Sequence, residues 1–475
     1  MSTTSQASQR INALLDENSF VEIGALVTAR ATDFNLKQTE TPSDGVITGY
    51  GVIAGNLVYV YSQDASVLNG TVGEMHAKKI INLYDLALKT GAPVIGLIDS
   101  AGLRLQEATD ALNAFGEIYR KQALSSGIIP QITAIFGTCG GGLALVPTLT
   151  DFTFMEADKA KLFVNAPNAL DGNEISRCNT SSASFQSEEA GIVDVTADEA
   201  SILEQIRQLV SILPANNEDY TLTEVTDDLN RTCPEIVNCT GDTSIALSQI
   251  ADDGMFFEVK RSYAKEMVAG FLKLNGATIG AIANRTEVYN DEGEVEEKYD
   301  AVLSATGAQK AADFINFCDA FEIPILSLTN VTGFKATKCS EKMIARAAAK
   351  LTYAFVNATV PKVNVIIGKA FGSAYVTMNS KALGADITIA WPNAQIGAME
   401  ASLAAKIICD GQGADAIAEC VREYEALQNN VTSAARRGYV DQIAAPEDTR
   451  KYVIGAFEML AEKYESRPEK KHGTV

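Results

Sequence analysis

Histidine is almost missing, with two in 475 residues. His472 sits in a polar tail, "RPEKKHGTV", of disordered composition. That leaves His76, so a histidine-based triad or a multi-histidine metal site has almost no candidates. Whatever chemistry the chain performs rests on backbone groups more than on imidazole. Basic charge is also short: 39 Lys and Arg stand against 60 Asp and Glu, a net charge of −21. That argues against a nucleic-acid partner. It leaves room for an anionic ligand, because a few local cations suffice for phosphates. The eight cysteines are scattered with no C-x2-C pair, which excludes a zinc ribbon and reads as free thiols. No apolar run reaches the ~18 residues of a membrane-spanning helix. The polar start "MSTTSQASQR" has no signal-peptide h-region. A soluble, cytoplasmic protein without metal is the expectation.

What the chain does have is a repeat. "GAPVIGLIDSAGLR" (91–104) resembles "EIPILSLTNVTGFK" (322–335), with Pro93 matching Pro324 and Gly102 matching Gly333 at an offset of 231. "PQITAIFGTCGGG" (130–142) matches "PKVNVIIGKAFGS" (361–373) at the same offset, Gly141 falling on Gly372. "NSFVEIG" (18–24) echoes "GMFFEVK" (254–260) at 236, and "AGIVDV" (190–195) echoes "RGYVDQ" (437–442) at 247. A constant central offset with drifting flanks marks a duplicated domain with loop insertions. The polar stretch within 214–245 reads as the linker, which places domains at 1–235 and 236–475.

Each half alternates strands and helices, an α/β layered pattern. In the first, a helix near 5–16 precedes strands in "GVITGYGVIAGNLVYVYSQD" (45–64), whose internal Gly-Asn reads as a hairpin turn. Ile80, Leu83, Leu86 and Ala87 recur at helical spacing over 75–91, with Gly91 as C-cap. Buried strands follow at 93–98 and 131–136, separated by a helix near 104–125.

The second of those strands runs into Gly137-Thr138-Cys139-Gly140-Gly141-Gly142. Three successive glycines where a helix should begin are costly in backbone entropy. Such a turn presents free N–H groups at a helix start. No Lys-Ser/Thr follows, so a Walker loop is excluded. The spacing is not G-x-G-x-x-G, so a dinucleotide fold is not indicated. An oxyanion hole remains, in which adjacent N–H groups meet a carbonyl that gains charge. Tight helix–sheet packing explains a lone glycine cluster equally well. Recurrence as "GKAFGSAYVTM" (368–378) favours function.

Several ordered stretches resemble one family: "RINALLDENSFVEIG" (10–24), "HAKKI" (76–80), "TGAPVIGLIDSAGLRLQE" (90–107), "GTCGGGLALVPTLTDF" (137–152), "KAFGSAY" (369–375) and "GADITIAWPNAQIGAM" (384–399). The chain resembles the carboxyltransferase subunits of biotin-dependent acyl-CoA carboxylases and decarboxylases, of the propionyl-CoA carboxylase β and methylmalonyl-CoA decarboxylase α type. The resemblance implies two tandem crotonase-like domains, each a ββα superhelix, with the CoA side in the first and the biotin side in the second. It implies a hexamer, a trimer of dimers, with active sites between the first domain of one subunit and the second of its neighbour. The implied reaction moves a carboxyl group between biotin and the α-carbon of an acyl-CoA thioester. Two oxyanions then need two holes. By position these are the N–H groups of Gly141 and Gly142, assigned to the thioester, and of Ser373 and Ala374, assigned to the biotin carbonyl, with the exchanged pairing as the alternative.

The resemblance further implies a CoA-side surface from Asn69, Gly70, Thr71, Lys79, Ala101, Gly102, Arg104 and Gly140, with Lys78, Lys79 and Arg104 available to phosphates. Each of these cations reads equally well as solvated helix charge. It implies a biotin-side surface from Gly333, Phe334, Gly372, Tyr375 and Val376, the valine giving an apolar wall. No biotinylation site or ATP-binding domain is visible, so the resemblance implies a separate biotin carboxyl carrier protein. It also implies either a biotin carboxylase or membrane decarboxylase subunits, the latter attaching the enzyme to a membrane. Three departures fall in the second half: Ser373 where glycine is usual, "NVTGFKATKCSE" (330–341) in place of an Asp-Val-Pro-Gly-Phe loop, and the acidic segment 283–314. They keep two alternatives in view: a biotin-independent crotonase-type enzyme using a carboxylate base, for which Glu107 is the weak candidate, and a non-catalytic subunit.

Overall fold

A computed structural model describes residues 5–30, 40–290, 292–468 and 472–473. The tail residues 469–471, 474 and 475 lie outside this description. The chain divides into two compact units, Met1–Tyr220 and Thr221–Val475.

The first unit carries, in chain order, β1 (Val21–Ile23), β2 (Val46–Ile53), β3 (Asn56–Gln63), β4 (Val94–Ile98), β5 (Gln131–Ile135), β6 (Thr138–Gly140), β7 (Phe152–Glu156), β8 (Lys161–Phe163) and β9 (Val195–Ala197). Seven form one sheet in the order β1-β2-β3-β4-β5-β7-β9, while β6 and β8 pair with each other. Pairing is antiparallel from β1 to β3 and parallel from β3 onward. β4 and β5 are buried along their whole length, as parallel strands covered on both faces should be. Helix Glu74–Thr90 lays Ala77, Ile80, Leu83, Tyr84 and Ala87 into the core. It ends where Gly91 turns left-handed at φ 63° and returns its N–H to Ala87.

The hairpin lies one residue upstream of its expected place. Ile53 pairs with Asn56, so the loop is Ala54–Gly55, both at positive φ. Ala54 tolerates that conformation because the Asp16 carboxylate accepts the N–H groups of Ala54 (3.1 Å) and Gly55 (3.2 Å).

The second unit carries β10 (Phe256–Glu258), β11 (Met267–Leu274), β12 (Ala277–Asn284), β13 (Glu287–Tyr289), β14 (Val295–Lys298), β15 (Val302–Leu303), β16 (Ile325–Val331), β17 (Gly333–Phe334), β18 (Lys362–Phe371), β19 (Ile387–Ala390), β20 (Gln395–Gly397) and β21 (Gln442–Ile443). Its sheet runs β10-β11-β12-β16-β18-β19-β21, with β20 also on β18. The first unit's pairing is reproduced residue by residue. Val94 opposite Gln131 becomes Ile325 opposite Lys362, each shifted by 231. Phe154 opposite Val195 becomes Ile389 opposite Gln442. Part of the acidic segment forms the β13–β14 pair, with β14 largely exposed, and its end begins the helix Ala305–Ala320.

Residues 221–235 belong with the second unit. Thr223 N–H donates to Gly276 O at 3.1 Å, and Cys233 N–H to Glu447 O at 2.8 Å. The compact division therefore falls before the stretch that composition alone marks as the end of a linker. The free-thiol expectation fails at one pair, because Cys409 and Cys420 are disulfide-bonded. They sit just after helix Ala401–Ile408 and within helix Ala414–Tyr424. Six other cysteines are free.

Candidate functional site

One strand–glycine–helix turn is built twice. In the first unit β6 ends at Gly140, opposite Phe163 on β8. Gly141 takes φ 62° and throws the chain into the 3₁₀ turn Gly141–Ala144. In the second unit β18 ends at Phe371, opposite Gly397 on β20. Gly372 takes φ 64° and starts helix Gly372–Thr377. Only glycine adopts this left-handed step without strain. The first N–H groups of each turn have no partner within it. Gly142 and Ser373 are both exposed, and Ala374 is buried. In this register Gly142 is the equivalent of Ser373. The two pairs singled out from the sequence thus stand one residue apart, with Gly142 and Ser373 as the shared position.

Around the first turn three loops converge. Ser100 N–H donates to Thr138 O at 3.1 Å, Ala101 N–H to Asn69 O at 3.0 Å, and Val72 N–H to Gly102 O at 2.9 Å. Asn69, Gly70, Thr71, Ala101 and Gly102 are thereby brought beside Gly140 and its turn. Asn69 and Ala101 are exposed, while Gly70 and Gly102 are buried.

Lys79 and Arg104 do not fit the phosphate role considered for them. Lys79 is buried, and its Nζ donates to the carbonyls of Ser43 (3.1 Å) and Val46 (2.5 Å). Burial pulls its pKa down to about 8. Arg104, also buried, pairs with Asp44 (2.6 Å) and Glu107 (2.9 Å) and donates to Thr71 O at 2.7 Å. Its charge is spent inside the fold, holding the 69–71 loop in place. Burial raises the Asp44 carboxyl in spite of that arginine. Glu107 also accepts the Glu74 N–H at the start of helix Glu74–Thr90. With both oxygens engaged it is no free base, which removes the crotonase-type candidate. His76 is structural: it bonds Gln63 (3.2 Å) and Asp44 O (3.0 Å), and burial drives its pKa to about 3. Lys78 is exposed and paired with Glu74 at 2.7 Å.

In the second unit β17 places Gly333 and Phe334 against helix Gly372–Thr377. β15 pairs beside them, Val302 opposite Gly333. A Cβ added at Gly333 would meet no atom within 4 Å, so this side of the turn is open. Asn330 stands where the resembled family has aspartate. Its Oδ1 accepts the Lys369 N–H (3.0 Å) and its own N–H donates to Asn284 (3.0 Å), a job that needs no negative charge. Tyr375 is held neutral by burial, with its pKa near 12, and Val376 is 38% exposed.

Two groups escaped the sequence reading. Asp44, in "SDGVITGYG", is the buried counter-ion that organises His76 and Arg104. Tyr119 donates its hydroxyl to the Gly142 carbonyl. Neither has a local signal, because each partner lies more than twenty residues away. Among the described residues, no cluster of His, Cys, Asp and Glu could hold a metal ion. Nor, among them, is any helix long and apolar enough to cross a membrane.

Duplicated ββα units with a glycine turn at the same register in each define a tandem crotonase-like protein. The carboxyl transferase domain matches residues 4–475, and the chain belongs to that family. It is a carboxyltransferase. It is 39% identical to the propionyl-CoA carboxylase beta chain of Roseobacter denitrificans, covering 99% of this chain and 93% of that protein. It is 38% identical to the methylmalonyl-CoA decarboxylase subunit alpha of Propionigenium modestum, over 99% and 92%. Among solved structures, the transcarboxylase 12S hexamer with methylmalonyl-CoA and methylmalonic acid bound matches with a TM-score of 0.91. It is 36% identical, over 98% of this chain and 92% of that one.

Proposed function

We propose that this chain is the subunit that moves a carboxyl group between biotin, held covalently on a separate carrier protein, and the α-carbon of a short acyl-CoA. Either direction, carboxylation or decarboxylation, uses the same machinery. The observation that carries the reading is the glycine turn repeated at one register in both units. An enolate carboxylation develops charge on two carbonyl oxygens, and two turns whose first N–H groups have no partner within the turn answer that need. Biotin, when bound, supplies the ureido nitrogen that carries the carboxyl group and accepts the α-proton, so the chain needs no imidazole base.

The chain's own residues hold and orient. Gly141 and Gly142 direct N–H groups at the thioester oxygen. Ser373 and Ala374 do the same for the ureido oxygen. Such donors gain strength as charge develops, and losing one costs about 2.7–4 kcal/mol of barrier. The second turn suits a flat uncharged ring: it is open at Gly333 and flanked by Phe334, Tyr375 and Val376. Asn69, Gly70, Thr71, Ala101, Gly102 and Gly140 form the CoA-side surface, with Arg104 bracing the 69–71 loop from below and Lys79 holding the Ser43 and Val46 carbonyls. Gly372 sets the second turn's geometry. The first unit is thus the CoA side and the second the biotin side.

The assembly that fits is a hexamer, a trimer of dimers, served by a biotin carboxyl carrier protein. A biotin carboxylase or membrane decarboxylase subunits complete it, and the chain works in the cytoplasm or at a membrane reached through those partners.

The test is CO2 release from a panel of malonyl-, methylmalonyl- and glutaconyl-CoA, with and without free biotin. Turnover of one member that requires biotin is expected. Turnover indifferent to biotin would overturn the reading.

A further inference from the structure

The first turn is steadied by a group outside the glycine cluster. Tyr119 lies on helix Ala108–Ser125 and donates its hydroxyl to the Gly142 carbonyl. Its ring lies over that of the buried Phe115, centroids 6.0 Å apart and planes 25° apart. The hydroxyl also closes the space beside residue 142, where an added Cβ would lie 3.0 Å from Tyr119 Oη. Burial raises the phenol's pKa, so it remains a donor at neutral pH.

Gly142 needs such restraint. Glycine has the softest backbone of any residue, and this one is exposed. An oxyanion donor works by being aimed before the charge appears. The Gly142 carbonyl shares a rigid peptide plane with the Leu143 N–H, so anchoring it fixes one side of the glycine and narrows the range open to the N–H on the other side. Leu145 N–H bonds the same carbonyl from within the turn, and among the described residues Tyr119 adds the one side-chain anchor. Among the described residues of the second unit no side chain bonds the Ser373 carbonyl. At the same 231-residue shift stands Lys350, paired with Asp313 at 2.6 Å, and residue 373 is a serine with a stiffer backbone.

We propose that Tyr119 is a positioning residue for the first turn: it fixes Gly142 so that its N–H meets the thioester oxygen as charge develops. This rests on the assignment of that turn to the thioester under the proposed function.

The test uses the full chain and four variants: Tyr119→Phe, Gly142→Ala, the double variant, and Gly142→Pro. The readouts are biotin-dependent CO2 release from methylmalonyl-CoA, resolved into kcat and KM, the melting temperature, and the infrared carbonyl stretch of bound propionyl-CoA labelled at the thioester carbon. Tyr119→Phe is expected to lower kcat roughly tenfold, the worth of one neutral hydrogen bond. KM and the melting temperature should hold, while the thioester stretch moves towards its value in water. Gly142→Ala crowds the phenol, so the loss of kcat it causes in the parent should be smaller in the Tyr119→Phe background. An unchanged kcat and stretch in Tyr119→Phe, or additive losses in the double variant, would overturn the proposal. Gly142→Pro separates the two levels. If it is inactive while Tyr119→Phe is fully active, the turn stands and the tyrosine's role falls. If it is fully active, the turn's own assignment falls.

Discussion

A single buried residue shows how environment overrides type. His76 is sealed between Gln63 and the Asp44 carbonyl, and its pKa lies near 3, below the ordinary 6.5. Between those values the unfolded chain binds a proton that the native state refuses. Stability therefore falls as pH drops from about 6.5 towards 3, by up to about 1.4 kcal/mol per pH unit. Asp151, raised to about 7 by burial, slopes the other way, but equally in a variant. Urea unfolding from pH 4 to 7 should show the stability of His76→Gln gaining on that of the parent as pH falls, because only the parent carries the histidine's slope; a difference that stays constant with pH would contradict the burial argument. The glycine turn needs similar care. Gly141 sits at φ 62°, so proline there would break the backbone as well as delete a donor. Gly142 has no positive φ, and Gly142→Pro should lower kcat by roughly 10²–10³ with the fold intact. The lone histidine and the glycine cluster were legible in the sequence. Their partners were not, because Asp44 is 32 residues from His76 and Tyr119 is 23 from Gly142.

Among the elements, the hairpins opening each sheet share one design. Asp16 caps the Ala54–Gly55 loop and pairs with Arg207 at 2.8 Å. Asp252 caps Asn275–Gly276 (3.2 and 2.9 Å) and pairs with Arg450 at 2.7 Å. The difference lies in burial: Arg207 is 27% exposed and Arg450 is 0%. Removing Asp252 leaves the buried Arg450 with Asp227 at 3.3 Å as its remaining carboxylate and unpairs the Asn275 and Gly276 N–H groups, so Asp252→Ala should cost about 3 kcal/mol. Asp16→Ala leaves its arginine to water and should cost about 1–2 kcal/mol. Equal losses in denaturant titrations would refute this reading. Helices and buried strands were legible from periodicity, because burial of one face writes itself into local sequence. The turn between β2 and β3 was misplaced by one residue because its acceptor, Asp16, is 38 residues upstream.

On the scale of the whole molecule, thiol titration of the denatured chain should find six thiols without reductant and eight with it. Eight in both cases would remove the Cys409–Cys420 bond. Sedimentation should find six copies of the 50.6 kDa chain; a stable monomer would count against the proposed assembly. The sequence by itself determined the duplication, the α/β class and the family, because offsets and glycine spacing are properties of the chain as written. Tertiary structure alone decided what the cations do. Lys79 and Arg104 look like surface charge on a helix and a loop. They are buried because the Ser43, Val46 and Thr71 carbonyls and the Asp44 carboxylate, 33 to 60 residues away, converge on them beside the neighbouring Glu107. Only such long-range partners make a buried charge tolerable, and no local pattern records them.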